Sequence, residues 1–253
     1  MSRTEVPVLS LTDARRRRAD RARQVADMLR RRLHVGVLPG EPELVREFGT
    51  SRNTVRDALD LLRAEGLIER LPGVGTVVVG RKYAHGLDHL LGLAETLHSH
   101  GEVTNELRAT GLITAPPAIT ARLRLPDGEP VVYIERLRRL AGSPLSLDLT
   151  YLVRDVGEPL LREDLAHNDV FVLIERLTGT RLGTADLTVE AVNADQHSAA
   201  VLEAAPNSAL LMVERLTHLA DGRPVDLEYI RFRGDRLAMR GTARRDPAEE
   251  AGA

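Results

Sequence analysis

Glu43-Leu44-Val45-Arg46-Glu47-Phe48-Gly49-Thr50-Ser51-Arg52-Asn53-Thr54-Val55-Arg56-Asp57-Ala58-Leu59 carries two short helical patterns on either side of a turn. Leu44, Val45 and Phe48 fall on one face of a helix expected over 41–48, and Gly49 stops it. Thr50-Ser51 then opens a second helix, where the Ser51 hydroxyl can accept from a first-turn backbone N–H. Val55, Ala58, Leu59 and Leu62 make its buried stripe, and Gly66 closes it. Two helices joined by three or four residues form a helix-turn-helix, whose second helix reads the major groove with its N-terminal residues. Ser51, Arg52, Asn53, Thr54 and Arg56 occupy that position.

Working outward, residues 14–33 read as a preceding helix. Ala22, Val25, Ala26, Leu29 and Leu33 recur at helical spacing, and Arg fills much of the remainder. The run Arg15–Arg18 is suited either to a phosphate backbone or to a solvated helix start. Downstream, Leu67-Ile68-Glu69-Arg70-Leu71 and Thr76-Val77-Val78-Val79 flank the turn Pro72-Gly73-Val74-Gly75. Two aliphatic runs around a Gly-rich turn predict a hairpin, and a hairpin behind a recognition helix is a wing. Arg46, Arg70, Gly75 and Thr76 join the candidate DNA-contacting residues on that basis.

Charge separates the halves. Residues 1–82 hold 17 Lys and Arg against 11 Asp and Glu, whereas residues 83–253 hold 18 against 26. A basic front joined to an acidic back points to a nucleic-acid-binding module attached to a different one. All but one of the 35 basic residues are Arg, the exception being Lys82, and the Arg fork suits phosphate and guanine edges. No apolar run approaches the ~20 residues a membrane span needs, which argues against a membrane partner. The charged N-terminus lacks a secretory apolar stretch, so a cytoplasmic location is expected. The absence of Cys excludes disulfides and thiolate chemistry, and 3% aromatics disfavours stacking on single strands.

Behind residues 80–86, which read as a linker, Leu87, Leu90, Leu91, Leu93, Ala94 and Leu97 suggest a helix ending at Gly101. The period then changes to strands at 104–114, 130–140, 144–153, 182–192, 209–219 and 224–233, with helices near 117–123, 169–178 and 195–203. That mixture predicts an α+β domain on an antiparallel sheet. An internal echo accompanies it. Glu135-Arg136-Leu137 precedes Gly142-Ser143-Pro144 and Asp148, as Glu214-Arg215-Leu216 precedes Gly222-Arg223-Pro224 and Glu228. Alternation puts Arg136 and Arg138 on one strand face, Ser146, Asp148 and Thr150 on another, and Asp226 with Glu228 on a third. Such groups line either a polar ligand crevice or an exposed face laced with ion pairs. Eight histidines include His85, His89, His98 and His100, but no acid completes a zinc-like cluster, so no metal or other cofactor is expected. No nucleophile–base arrangement marks a catalytic site.

The front half resembles the GntR family of bacterial winged-helix regulators. The resemblance rests on Glu43–Leu59, then Leu62-Arg63-Ala64-Glu65-Gly66-Leu67-Ile68, then Gly73-Val74-Gly75-Thr76. It implies that Arg52 and Arg56 contact bases or phosphates, Ser51 and Thr54 contact phosphates, and the Gly75 region lies in the minor groove. The back half resembles the UTRA effector domain of the HutC subfamily, a domain similar in fold to chorismate lyase. The residues that carry this are Arg136-Leu137-Arg138 through Asp148 and Tyr151, Asp169-Val170-Phe171, and Asp221 through Glu228 to Arg233-Gly234-Asp235-Arg236. The resemblance implies an effector site drawn from Arg136, Arg138, Asp148, Tyr151, Asp169, Phe171, Glu228 and Arg233. Asp148 stands where that family usually has Glu, and Asp169 opens a helix where phosphosugar-binding members have Ser. A carboxylate there would occupy or repel a phosphate.

The expected organisation is a disordered 1–13, a winged helix-turn-helix at 14–79, a linker at 80–86, an effector-binding and dimerising domain at 87–240, and a flexible 241–253. The expected function is a homodimeric, ligand-responsive repressor on an inverted-repeat double-stranded operator, with a small-molecule effector. Its alternatives are a constitutive DNA-binding protein with a vestigial pocket and, through the lyase-like fold, an enzyme.

Overall fold

The computed structural model describes residues 11–33, 36–80 and 82–244. The chain forms two units, divided between residues 81 and 82. Of the expected termini, 1–10 and 245–253 lie outside the described residues.

The first unit runs α1 (Leu11–Arg32), β1 (Gly36–Val37), α2 (Glu41–Phe48), α3 (Arg52–Ala64), β2 (Ile68–Leu71) and β3 (Gly75–Val78). Helix α1 starts three residues before the expected 14, so 11–13 are helical rather than disordered. The apolar stripes read from the sequence meet in one core. Val25 and Leu29 of α1, Leu44 of α2, and Val55 and Leu62 of α3 are buried together with Ile68. Each such side chain contributes about 1.5–3 kcal/mol by leaving water. Gly49 ends α2 at φ 55°, a left-handed conformation that costs glycine little. Strands β2 and β3 form the wing hairpin, and β1 adds to β3 as a third strand.

The second unit runs β4 (Tyr83–Gly86), α4 (Leu93–Leu97), β5 (Val103–Thr114), α5 (Pro117–Arg122), β6 (Pro130–Leu140), β7 (Ser143–Val153), α6 (Arg154–Leu160), α7 (Val170–Thr178), β8 (Leu182–Asn193), α8 (Gln196–Val201), β9 (Ala209–Leu219), β10 (Pro224–Arg233) and β11 (Leu237–Arg240). Its main sheet has the order β5-β6-β7-β10-β9-β8, with every pairing antiparallel. The order is symmetric about the β7–β10 pair, and β5-α5-β6-β7 repeats as β8-α8-β9-β10. Backbone details repeat with it. The left-handed residues Arg124 and Glu203 occupy equivalent positions after α5 and α8, and Gly128 and Asn207 follow them. The sequence echo around Arg136 and Arg215 is therefore the trace of a structural repeat.

Two expectations need correction. Residues 83–86 are not linker: they form β4, paired in parallel with β11, which joins the end of the domain to its beginning. The helix read from Leu87 to Gly101 is short, spanning Leu93–Leu97 and a 3-10 turn at His98–His100. Gly92 is extended, and its N–H donates to the Glu95 carboxylate at 2.8 Å, which starts the helix there. The leucines upstream, Leu87, Leu90 and Leu91, border a cavity instead of lying on a helix.

Candidate functional site

Helix α3 presents the first candidate surface. Ser51 caps it, with the Thr54 N–H donating to the Ser51 hydroxyl at 3.2 Å. Arg52, Asn53 and Arg56 are exposed on its first turns. Thr54 departs from expectation. It is buried and its hydroxyl lies 2.8 Å from that of Ser51, so it locks the helix start rather than facing outward. The two arginines are held from behind: Arg52 Nε and Arg56 Nε both donate to Glu41 Oε2, at 2.9 and 3.0 Å. The Arg52 hydrogen bond leads in holding the Glu41 carboxyl below its usual range. This use of each Nε keeps the two guanidiniums side by side at the head of α3.

Other arginines of this unit are committed internally. Arg18, from the basic run, forks onto Asp57 at 2.7 and 3.0 Å, and Arg30 pairs with Glu65. These contacts tie α1 to α3. Arg15, Arg16 and Arg17 remain exposed on α1. Arg46 and Arg70 are exposed on α2 and β2, and Gly75 starts the second wing strand at φ 114° with Thr76 half-buried beside it.

The second candidate site is one face of the six-stranded sheet. Register places Arg136 beside Asp148, Arg138 beside Ser146, Thr150 beside Glu228, and Glu228 beside Arg215. All of these side chains are buried. Arg138 pairs with Asp148, and its Nη1 lies 3.5 Å from Asp169 Oδ2. Asp169 also caps α7, accepting from the Phe171 N–H at 3.1 Å. Burial works to raise the Asp169 carboxyl, but Arg138 and then Arg136 outweigh it and leave it lowered. Arg215 Nε donates to Glu228 at 2.7 Å, and its guanidinium stacks on Phe171, 4.4 Å from the ring centre.

Two buried charges stand apart. Arg136 is 0% exposed, and none of its three guanidinium nitrogens has a hydrogen-bond partner among the described residues. Both oxygens of Asp226, also fully buried, are in the same condition. Burial, followed by the neighbouring Glu228, raises the Asp226 carboxyl well above its ordinary range.

A cavity of 240 Å³ opens beside this face. His85, Asp88, His89 and Arg215 line it together with Leu87, Leu90, Leu91, Leu187, Val213, Ile230, Phe232 and Met239. A second, much smaller space of 10 Å³ connects His85 with Arg138, Asp148 and Arg215. His85 is buried, its Nδ1 lacks a protein partner, and burial followed by Arg215 and Arg138 lowers its pKa to about 4. The ring is therefore neutral near pH 7.

Of the residues expected at the effector site, Arg138 and Asp148 border the smaller space and the other six border neither. Tyr151 is an odd number of positions from Asp148, so it projects from the opposite sheet face, where it packs 5.3 Å from Tyr133 and 6.4 Å from Tyr229. Arg233 also lies on that opposite face and is spent on structure. It forks onto Asp235 at 3.0 and 2.6 Å and donates to the Leu202 and Glu203 carbonyls. Arg136, Asp169, Phe171 and Glu228 belong to the buried cluster described above but border neither space. Conversely, Arg215 and His85 line both spaces, although neither belongs to the ligand set that the sequence predicts. The internal echo signalled Arg215, as the counterpart of Arg136. His85 had no signal, because its strand pairs with a segment distant in sequence.

Among the described residues no group of three or more His, Asp or Glu is placed to hold a metal ion, and no helix is long and apolar enough to cross a membrane.

A winged helix-turn-helix followed by an antiparallel ligand-domain fold defines a class of DNA-binding regulator, and comparison with known proteins agrees. Residues 21–78 match the family of bacterial regulatory proteins called gntR, and residues 98–238 match the UTRA domain. The HTH-type transcriptional regulator Rv0792c of Mycobacterium tuberculosis is 32% identical, over 86% of this chain and 81% of that protein. The HTH-type transcriptional repressor NagR of Bacillus subtilis is 29% identical, over 80% and 83% respectively. The crystal structure of PhnF from Mycobacterium smegmatis superposes with a TM-score of 0.64 at 26% identity, covering 88% of this chain and 99% of that one. The chain belongs to the GntR family of transcriptional regulators and carries a UTRA domain behind its DNA-binding domain.

Proposed function

We propose that the protein is a homodimeric repressor that binds an inverted-repeat operator and responds to a small molecule held by its UTRA domain. The observation that carries the DNA-binding part is the pair Arg52 and Arg56, exposed at the capped N-terminus of α3 and aligned by Glu41. Two such helices related by a two-fold would read two half-sites about one helical turn apart. Asn53 adds a side-chain amide to the same exposed turn, and Arg46, Arg70 and Thr76 flank it. The name of NagR as a repressor supports the repressor reading.

Effector control is supported by the cavity beside the buried Arg138, Asp148, Asp169, Arg215 and Glu228. Its wall includes His85 to Leu91, the first stretch of the second unit after the DNA-binding unit in the chain. A ligand that favours one arrangement of that stretch shifts DNA affinity, and DNA shifts ligand affinity by the same factor. A cytoplasmic location follows from a duplex DNA partner.

Mobility-shift and footprinting assays on DNA flanking the protein's own gene test this reading. A two-fold symmetric footprint bound by one dimer is the expected result. Failure to retain any duplex at low ionic strength would overturn it.

A further inference from the structure

We infer that the UTRA cavity takes an uncharged, largely apolar effector that forms a hydrogen bond with His85, and not a phosphorylated one. The inference rests on the effector-binding reading above and adds the ligand's chemical class.

Charge is decisive. A phosphate or carboxylate ligand gains most from cations whose charge no neighbouring carboxylate already balances. Arg138 is paired with Asp148 and Asp169, and Arg215 with Glu228, so the charge of both guanidiniums is already balanced even though each keeps N–H groups without a partner among the described residues. Arg136 has no partner among the described residues, but it is fully buried and borders neither cavity. The N-terminus of α7, where an anion would gain from the helix dipole, is closed by the Asp169 carboxylate. A dianion entering would add charge beside a cluster in which Asp148, Asp169 and Glu228 already balance Arg138 and Arg215, at a costly desolvation.

Apolar side chains, among them Leu87, Leu91, Val213, Ile230, Phe232 and Met239, make up the larger part of the wall, and His89, Thr184 and Arg215 contribute polar groups. His85 supplies the polar anchor. It is 7% exposed, borders both spaces, and its Nδ1 has no protein partner. A neutral imidazole offers one donor and one acceptor, which matches a hydroxyl, carbonyl or amide on an apolar body. Asp88 is exposed to solvent, which screens its charge, and its Oδ1 accepts from the Thr242 N–H at 2.9 Å.

The absence of Trp in the chain supplies a test. Leu187 lines the cavity and is 41% exposed, so Leu187→Trp places one indole at its mouth with little disturbance of the core. Full-length Leu187→Trp protein is titrated with 1-hexanol, hexylammonium and hexyl phosphate, which share a body and differ in head group. The expected result is a saturable emission change with hexanol, and binding at least about tenfold weaker for both charged probes. His85→Ala in that background should weaken hexanol about tenfold, the scale of one neutral hydrogen bond, with thermal unfolding confirming a folded domain. Tighter binding of hexyl phosphate or hexylammonium overturns the ligand class while leaving the effector-binding reading intact. Saturable binding of none of the three overturns both. Hexanol binding unchanged by His85→Ala overturns the anchor.

Discussion

Glu41 Oε2 accepts a hydrogen bond from Arg52 Nε at 2.9 Å, and the same oxygen accepts one from Arg56 Nε at 3.0 Å. One carboxylate at the start of α2 thus sets the orientation of two guanidiniums at the start of α3. Glu41→Ala should lower the preference for operator over random duplex while strengthening non-specific binding at low salt. Operator affinity should fall by about 1 kcal/mol, the scale of losing the alignment of one or two polar contacts. Paired anisotropy titrations on both duplexes measure it, and an unchanged operator-to-random ratio would contradict the positioning role.

Arg52→Ala or Arg56→Ala should each cost roughly 1–3 kcal/mol in operator binding if the side chain reads a base edge, and leave ligand binding in the UTRA domain unchanged. A phosphate contact would instead lower affinity on all sequences and reduce the salt slope by about one. Titrations at several salt concentrations separate the two.

Arg138 lies in a different electrostatic setting, buried between Asp148 and Asp169. Arg138→Ala leaves two carboxylates without their cation, and about 3–5 kcal/mol of stability should be lost. Replacing the Arg138–Asp148 pair together with apolar residues should recover part of it. Urea unfolding of the single and double variants checks this. Equal stability of Arg138→Ala and the unmodified protein would show that the pair is not load-sharing in the fold.

Asp226 and His85 give opposite pH dependences. The Asp226 carboxyl is raised, so its ionisation opposes folding once the pH exceeds the ordinary carboxylate range. Asp226→Asn should therefore stabilise the protein at pH 7, with the gain shrinking toward pH 4. His85 falls from 6.5 to about 4. Its neutral form contributes stability that is complete above pH 6.5 and lost as the pH falls through that window, on the order of 3 kcal/mol. His85→Leu should abolish that component. Unfolding midpoints at pH 7 and pH 5 distinguish the two residues.

The legible parts of the fold are those where one periodicity dominates. In the first unit the stripe through Val55, Ala58, Leu59 and Leu62 marks a buried helix face, and the structure buries all four. In the sheet, Pro130–Leu140 and Pro224–Arg233 match the alternating runs residue for residue. Local spacing fails where partners are distant. Strand β4 gains its identity only by pairing with β11, over 150 residues away, so Tyr83–Gly86 looks like linker. Helix α6 contains Gly157 and Pro159, which hide it, yet Gly157 is there because a Cβ would lie 2.6 Å from Val132 Cβ. The site follows the same rule. Alternation puts Arg136 with Arg138, and Asp148 with Ser146 and Thr150, but only the register of β6 on β7 brings the two sets together, and whether a buried arginine reaches a cavity depends on what the loop at 87–92 covers. Tyr151 and Arg233 enter the expected site only through the family resemblance, and the parity of their positions puts them on the other face.

The central claim is that Arg52 and Arg56 read duplex DNA. Footprinting across the genome with the unmodified protein and the Arg52→Ala/Arg56→Ala double variant tests it most directly. The account predicts discrete inverted-repeat sites for the former and their loss for the latter, with the double variant folded. Identical site occupancy by both proteins would contradict it.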